Sequence, residues 1–225
     1  MRGRVSSPSR RALVKRSPPS ALLLLNGDIP DAAMIRRLAR RCRVIICADG
    51  GARHARRMGL VPDVVVGDMD SLPRPLPRNW TRTLYWCDFN ENSSDFDKAL
   101  EFMGRTGCGR LYVAGLFGGR LDHCMVNLSL ARRYGARESL VVVDRGMAAL
   151  LGPGRYRLGL RRGQRLSLLA VAPRTRLSVT GARYPLRHAA LVAGSRGLSN
   201  VAQGPVGLHV HAGLVWAMAP DVFEF

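Results

Sequence analysis

The chain has 225 residues, 47% of them hydrophobic and 6% aromatic, with a formal net charge of +19 at pH 7; it can bury one large core or two small ones, and no apolar run approaches the ~18 residues of a membrane span, so no membrane partner is expected. The positive charge is almost all arginine spread along the chain, with lysine only at Lys15 and Lys98, and the sparse aromatics do not interleave with basic residues, which argues against a nucleic-acid partner. Five cysteines, an odd number with no CxxC pair, argue against a disulfide framework or a zinc site and suit a reducing cytoplasm.

Residues 1–19 carry Arg2, Arg4, Arg10, Arg11, Lys15 and Arg16 among Ser and Pro with no acid, which predicts a basic disordered tail rather than a signal peptide. Ala21 to Leu25 is a continuous apolar strand closed by the turn-forming Asn26-Gly27-Asp28. A helical period follows over residues 32–41, then a strand over 44–48, a helix over 52–58, an apolar strand over 64–66 and a further strand over 83–86. From Asp95 to about Arg105, Phe96, Ala99, Leu100 and Met103 form one stripe at i, i+3, i+4 and i+7. Ser94 is the expected N-cap of that helix. A strand over 111–114, a Gly-rich loop and a helix over 121–134 complete the region.

After about Arg137 the periodicity changes. Short β-rich runs at 140–143, 148–151, 166–171, 177–180, 206–210 and 214–218 are punctuated by Gly and Pro. These observations predict an α/β N-terminal domain with a mostly parallel sheet over 20–136 and a C-terminal all-β sandwich over 137–225.

The acids of this basic chain gather at strand ends and helix starts. Asp68 and Asp70, two residues apart after the strand Val64-Val65-Val66, can converge on a hard cation such as Mg²⁺. Asp49, before Gly50-Gly51, is either a helix cap or a site acid. Asp95 and Lys98 are either an i, i+3 surface pair or part of a metal and phosphate site. Lys98 is the one lysine outside the tail, which suits a place where a compact ammonium fits and a guanidinium does not. Gly118-Gly119-Arg120 offers backbone N–H groups and a guanidinium to phosphate, yet matches neither a Walker A loop nor a GxGxxG fingerprint. Asp122 could ligate metal or hold Arg120, and His123 is an oriented helix-start histidine or a catalytic one. Ser199-Asn200 alone reads as a turn. His209 and His211 share one strand face, but two histidines without a third ligand make a poor metal site.

In order, Asp49-Gly50-Gly51, Gly67-Asp68-Met69-Asp70-Ser71, Ser94 to Ala99, Gly118 to His123 and Ser199-Asn200 resemble the motifs of the thiamine pyrophosphokinase family, over about residues 20–225. Ser94 stands where the family has Thr, and Tyr184-Pro185-Leu186 resembles its YPL segment. The resemblance implies transfer of pyrophosphate from Mg-ATP to thiamine in the cytoplasm, by a homodimer whose active site is completed at the subunit interface. It implies Asp68, Asp70 and Asp95 as Mg²⁺ ligands. Asp49, Asp68, Asp70, Asp95, Lys98 and Asp122 would be the catalytic set. Gly118, Gly119, Arg120 and His123 would meet the ATP phosphates, and Ser199 and Asn200 thiamine. Tyr184 and Trp216 are the candidate aromatics for the thiazolium, with core packing the competing reading of Trp216. A related pyrophosphokinase or nucleotidyltransferase, or a non-catalytic nucleotide- or RNA-binding module, is the alternative.

Overall fold

The computed structural model describes residues 18–137 and 139–220. The expected tail, apart from Pro18 and Pro19, lies outside the described residues. The first half contains β1 (Ser20–Leu24), α1 (Ala32–Ala39), β2 (Val44–Ala48), α2 (Gly51–Met58), β3 (Val64–Gly67), β4 (Leu84–Cys87), α3 (Asp95–Met103), β5 (Arg110–Ala114) and α4 (Leu121–Gly135). β1 pairs in parallel with β2 on one side and β5 on the other. β3 and β4 continue outward from β2, also in parallel.

The apolar runs are continuous because both faces of this sheet are covered. Leu22 and Leu24 pack with Ile35 and Leu38 of α1 and Ala52 and Ala55 of α2. Their neighbours Ala21 and Leu23 face the other way, onto Phe96, Ala99 and Met103 of α3 and Leu130 and Ala131 of α4. Strand alternation thus assigns one face to α1 and α2 and the other to α3 and α4. Ser94 caps α3 as expected: its hydroxyl accepts the Asp97 N–H at 3.2 Å. Asp97 in turn receives Arg133 of α4 at 2.7 Å, tying the two helices together.

The second half is all strand: β6 (Ser139–Val143), β7 (Met147–Leu151), β8 (Gly154–Leu158), β9 (Arg165–Ala170), β10 (Arg176–Ala182), β11 (Leu186–Ala190), β12 (Asn200–Ala212) and β13 (Val215–Ala219). β6 departs from expectation. Its residues fall within the region expected to form a separate β sandwich, but it runs parallel to β5 and continues the first sheet. The reason is α4, which carries the chain back across the sheet so that β6 enters in the direction of β5. Its apolar run Leu140 to Val143 is buried throughout, the signature of a parallel strand. β7 then turns antiparallel to β6, and the remaining pairings are antiparallel. The result is a large mixed sheet in the order β11-β10-β12-β9-β13-β7-β6-β5-β1-β2-β3-β4, with β8 paired to β12. Among the described residues no helix is long and apolar enough to cross a membrane.

Phe96 is 2% exposed at the centre of the α3 face. Phe96→Ala is expected to cost about 3–5 kcal/mol, and Ser94→Ala about 1 kcal/mol through the lost cap. Urea denaturation of both variants checks these values; a Phe96→Ala loss smaller than that of Ser94→Ala would contradict the packing described.

Candidate active site

The chain walks outward from β1 to β4 and then returns to the opposite side of β1. The reversal places the carboxyl ends of β1 and β5 side by side, the position where open α/β sheets bind ligands. Their loops interlock. Leu25 donates to the Ala114 carbonyl at 2.8 Å, Gly27 to Gly115 at 2.9 Å, and Asp28 to Phe117 at 2.6 Å. A Cβ on Gly27 would collide with the Phe117 carbonyl oxygen, so the approach requires glycine. A cleft of about 670 Å³ opens here. Its walls include Asn26, Asp68, Asp95, Lys98, Gly118, Gly119, Arg120 and His123. A larger hollow of about 820 Å³ lies along another flank of α3, lined by Leu100, Met103, Tyr134 and Arg137 among others. Convergent chemistry rather than volume makes the smaller cleft the candidate site.

The acidic loops are brought together by strand pairing. Ala48 of β2 sits beside Val66 of β3, so Asp49 lies next to Gly67-Asp68. Gly67 has φ +148°, and a Cβ there would come within 2.7 Å of the Asp49 Cβ. Asp49 and Met69 adopt φ values of 33° and 70°, uncommon for residues with side chains. The Asp70 N–H donates to Asp68 Oδ1 at 3.2 Å. Arg53 of α2 holds the loop from outside, donating from Nε to the Ser71 carbonyl at 2.9 Å.

One carboxylate oxygen each of Asp49, Asp68 and Asp70 lies within 4.8 Å of the others. Asp49 is 3% exposed, and its Oδ1 is buried without a hydrogen-bond partner. An unpartnered buried carboxylate oxygen is costly, and a hard divalent cation answers that deficit with the ligand type present. The expected ligand set was Asp68, Asp70 and Asp95; the assembled trio contains Asp49 instead. Asp95, at the start of α3, stands alongside: its charge acts on Asp49 and its Oδ1 would lie 3.2 Å from a Cβ on Gly67. Burial raises the Asp95 carboxyl from its ordinary range, Lys98 opposes that shift, and Asp68 and Asp70 reinforce it.

Lys98 is buried, and its Nζ donates to the Asp88 carbonyl at 2.8 Å. This is not the exposed surface pair with Asp95 of the simpler reading. Arg120 and Asp122 form a two-point pair, Nε to Oδ1 at 3.1 Å and Nη2 to Oδ2 at 2.6 Å. Asp122 Oδ1 also accepts the His123 N–H at 2.9 Å. The Arg120 hydrogen bond holds the Asp122 carboxyl down at about 2. Of the two roles considered for Asp122, the geometry displays the hold on Arg120.

Ser199 and Asn200 are not among the cleft's lining residues. Asn200 is buried at the start of β12 and clamps Tyr184, accepting its N–H at 3.0 Å and donating to its carbonyl at 2.8 Å. Ser199 has φ +56°, and its N–H donates to Ser167 Oγ at 3.0 Å. Trp216 is 8% exposed in the core, which favours its packing role; Tyr184 is 59% exposed. Sequence reasoning passed over Phe89, Asn90 and Asn127, which line the cleft. Asn127 was within reach, being one turn after His123 on the same helix face.

Burial first, then the Asp95 charge, lifts Asp49 to about 6. An acid whose pKa is higher folded than unfolded contributes stability below its unfolded value, and that contribution is lost as pH rises through the folded one. Metal-free protein should therefore lose stability from about pH 4 to about pH 6, and Asp49→Asn should remove part of that loss. Melting temperatures of both proteins in chelator, at about pH 4.5 and about pH 7.5, check this; parallel declines would contradict it.

Residues 35–152 match a family model described as "Thiamin pyrophosphokinase, catalytic domain". Among curated proteins, the chain is 30% identical over 164 residues to thiamine pyrophosphokinase 1 of Oryza sativa subsp. japonica, covering 62% of this chain and 61% of that protein. It is 24% identical over 231 residues to thiamine pyrophosphokinase 2 of the same plant, covering 88% and 85%. The match thus spans less than two thirds of the first of these relatives. Among solved structures, thiamine pyrophosphokinase from Bacillus subtilis superposes with a TM-score of 0.75 at 20% identity, covering 89% of this chain and 98% of that one. Thiamin pyrophosphokinase from Candida albicans gives 0.74 at 16% identity, covering 90% and 89%. The structural likeness is one of fold; the family match covers more than half of the chain and includes the acidic loops, and the chain belongs to the thiamin pyrophosphokinase catalytic-domain family.

Proposed function

We propose that this protein is an ATP-dependent thiamine pyrophosphokinase. The hydroxyl oxygen of thiamine attacks the β-phosphorus of ATP, the bond from that phosphorus to the AMP oxygen breaks, and thiamine diphosphate and AMP form. The observation that carries the reading is the carboxylate trio with an unpartnered buried oxygen at the carboxyl ends of the parallel strands β2 and β3, beside the cleft and inside the family-matching region. That match favours this reading over a different pyrophosphokinase or a nucleotide- or RNA-binding module.

In this reading Asp49, Asp68 and Asp70 hold Mg²⁺, with Asp95 beside them. When bound, the ion neutralises charge on the ATP phosphates. The chain's own groups do the rest. Lys98, anchored by the Asp88 carbonyl, places a fixed positive charge at the cleft wall for the transferred group. Gly118 and Gly119 let backbone approach phosphate closely, and Arg120 leaves Asp122 to meet it. Asp95, its carboxyl raised by burial, is the candidate to accept the hydroxyl proton.

We assign ATP and Mg²⁺ to residues 20–136 and thiamine to the β-rich residues 137–225, treated as an α/β domain and a β-sandwich. Ser199 and Asn200 lie outside the cleft of their own protomer, so a homodimer in which the partner subunit's β region closes the site fits the reading. Leu121, Met125 and Val126 of α4 are 75%, 63% and 49% exposed, an apolar strip available for such a contact. A cytoplasmic setting suits the five free thiols.

The direct test is incubation with Mg-ATP and thiamine, with AMP and thiamine diphosphate appearing in equal amounts. Asp68→Asn and Asp70→Asn should each lower turnover at least ~100-fold with little change in melting temperature, because the amide keeps the shape and loses the charge. Near-normal rates in both at low Mg²⁺ would remove the metal assignment. Lys98→Arg should damage turnover nearly as much as Lys98→Ala, since a broad guanidinium does not fit the buried ammonium's place; wild-type turnover in Lys98→Arg would show that only the charge matters.

A further inference from the structure

The second half of the chain carries a cluster that the proposed reaction does not use. His209 and His211 lie two residues apart on β12 and point to one face, while Leu208 and Val210 between and beside them are buried on the other. Two imidazoles alone would be a weak case. The fold supplies the third. β10 lies between β12 and β11, with Ser178 opposite His209. On the other side of β10, Leu177 pairs with Ala189 and Val179 with Leu186. Two residue steps along β10 thus face three along β11, so β11 carries one extra residue at Arg187-His188. A bulge of this kind re-aims a side chain. His188 sits at φ +44°, a conformation rarely adopted by a residue with a side chain and often found where a function maintains it.

The outcome is three imidazoles in contact across three strands. The ring centroids of His209 and His211 are 3.9 Å apart, and those of His188 and His211 are 4.3 Å apart. Ser178 joins the cluster at its centre. Its Oγ accepts the His188 backbone N–H at 2.9 Å and lies 2.8 Å from His211 Nε2. None of the three histidines lines the acidic cleft.

We propose that His188, His209 and His211 form a binding site for one divalent transition-metal ion of the zinc class, separate from the carboxylate cluster. Three neutral imidazoles with an open fourth position are a common ligand set for such ions, at about 2.0–2.1 Å from nitrogen to metal. The rings are tilted, at 48° between His209 and His211 and 53° between His188 and His211, and their nitrogens do not converge on one point as the carboxylates do; binding requires side-chain rotations that turn one nitrogen of each toward a common ion. Ser178 supplies the orienting contact that metal-bound histidines require: with Nδ1 of His211 on the ion, Nε2–H donates to Ser178 Oγ. Imidazole ligands select against Mg²⁺, which takes the oxygen site. Arg155 of β8 lies opposite His209, and its charge weakens the affinity for any cation. Such an ion would fasten the edge strand β11 to β12 across β10.

The test uses the full chain in excess Mg²⁺, which occupies the carboxylates. Zn²⁺ is titrated by calorimetry, and Co²⁺ by its visible absorption. One Zn²⁺ should bind per chain, with affinity falling at least ~10-fold in each of His188→Asn, His209→Ala and His211→Ala. Asn at 188 keeps the left-handed backbone accessible, so circular dichroism should show that variant folded. Zn²⁺ should raise the melting temperature of the wild type but not of His188→Asn. Asp68→Asn should bind Zn²⁺ like the wild type, and Arg155→Ala should bind it more tightly. Absence of binding, binding unaffected by the histidine changes, loss of binding in Asp68→Asn, or dependence on His209 and His211 without His188 would each overturn the proposal.

Discussion

The site depends on one constraint, the reversal of strand order at β1, which is parallel to both β2 and β5. A strand buried on both faces has its backbone groups consumed by its neighbours. Polar loops can therefore emerge only at its ends. Because β2 and β5 flank β1, the loops after β1 and β5 are forced together and share hydrogen bonds from Leu25, Gly27 and Asp28. The neighbouring β2–β3 pairing then delivers Asp49 beside Asp68, and α3, descending from the far edge, brings Asp95 and Lys98 to the same opening. The core packing of Leu22, Leu24, Phe96 and Met103 sets the separation of groups that never touch the core.

Electrostatics runs against the chain's overall character here. Most of the surface is arginine-rich, yet carboxylates crowd at one opening with two backbone positions, Asp49 and Met69, held at positive φ. Repulsion among these acids and the unpartnered Asp49 oxygen are unfavourable in isolation. The packed sheet and the Arg53–Ser71 bond fix the loops in spite of that cost. A site prearranged in this way loses little entropy when a cation and phosphate enter.

Much of this was legible in the sequence, because the features involved are local. Apolar runs marked β1, β2, β3 and β5, the stripe from Phe96 to Met103 marked α3, and Ser94 announced its own cap. What was not legible depends on pairing through space. Asp49 joins Asp68 and Asp70 because Ala48 lies beside Val66, a register that no local pattern encodes. β6 reads the same whether parallel or antiparallel until α4 is placed. β12 runs for 13 residues, but Gly204-Pro205 interrupts its sequence pattern and hides the length. His188 had no visible tie to His209 and His211, because β10 intervenes and the bulge beside which its ring meets that of His211 is invisible in a single strand. Asn200 read as a turn residue, whereas both ends of its amide hold Tyr184.

The same irregularity in β11 bears on how the sheet ends. β4 and β11 end the main strand order, and β8, paired to β12 off that path, leaves a further edge; an open strand edge invites pairing with other chains and so aggregation. β4 is short and presents Leu84 and Trp86 to solvent, with the Arg105 guanidinium 4.9 Å above the Trp86 ring. That end is defended by brevity and by a charge laid over its apolar surface. β11 is also short, and the Arg196 guanidinium donates to its Ala190 carbonyl at 3.4 Å. Its extra residue and the left-handed turn at His188 break the regular row of N–H and C=O groups that an incoming strand would need. Straightening β11 would leave the fold's interior intact and expose a clean ladder to the next molecule.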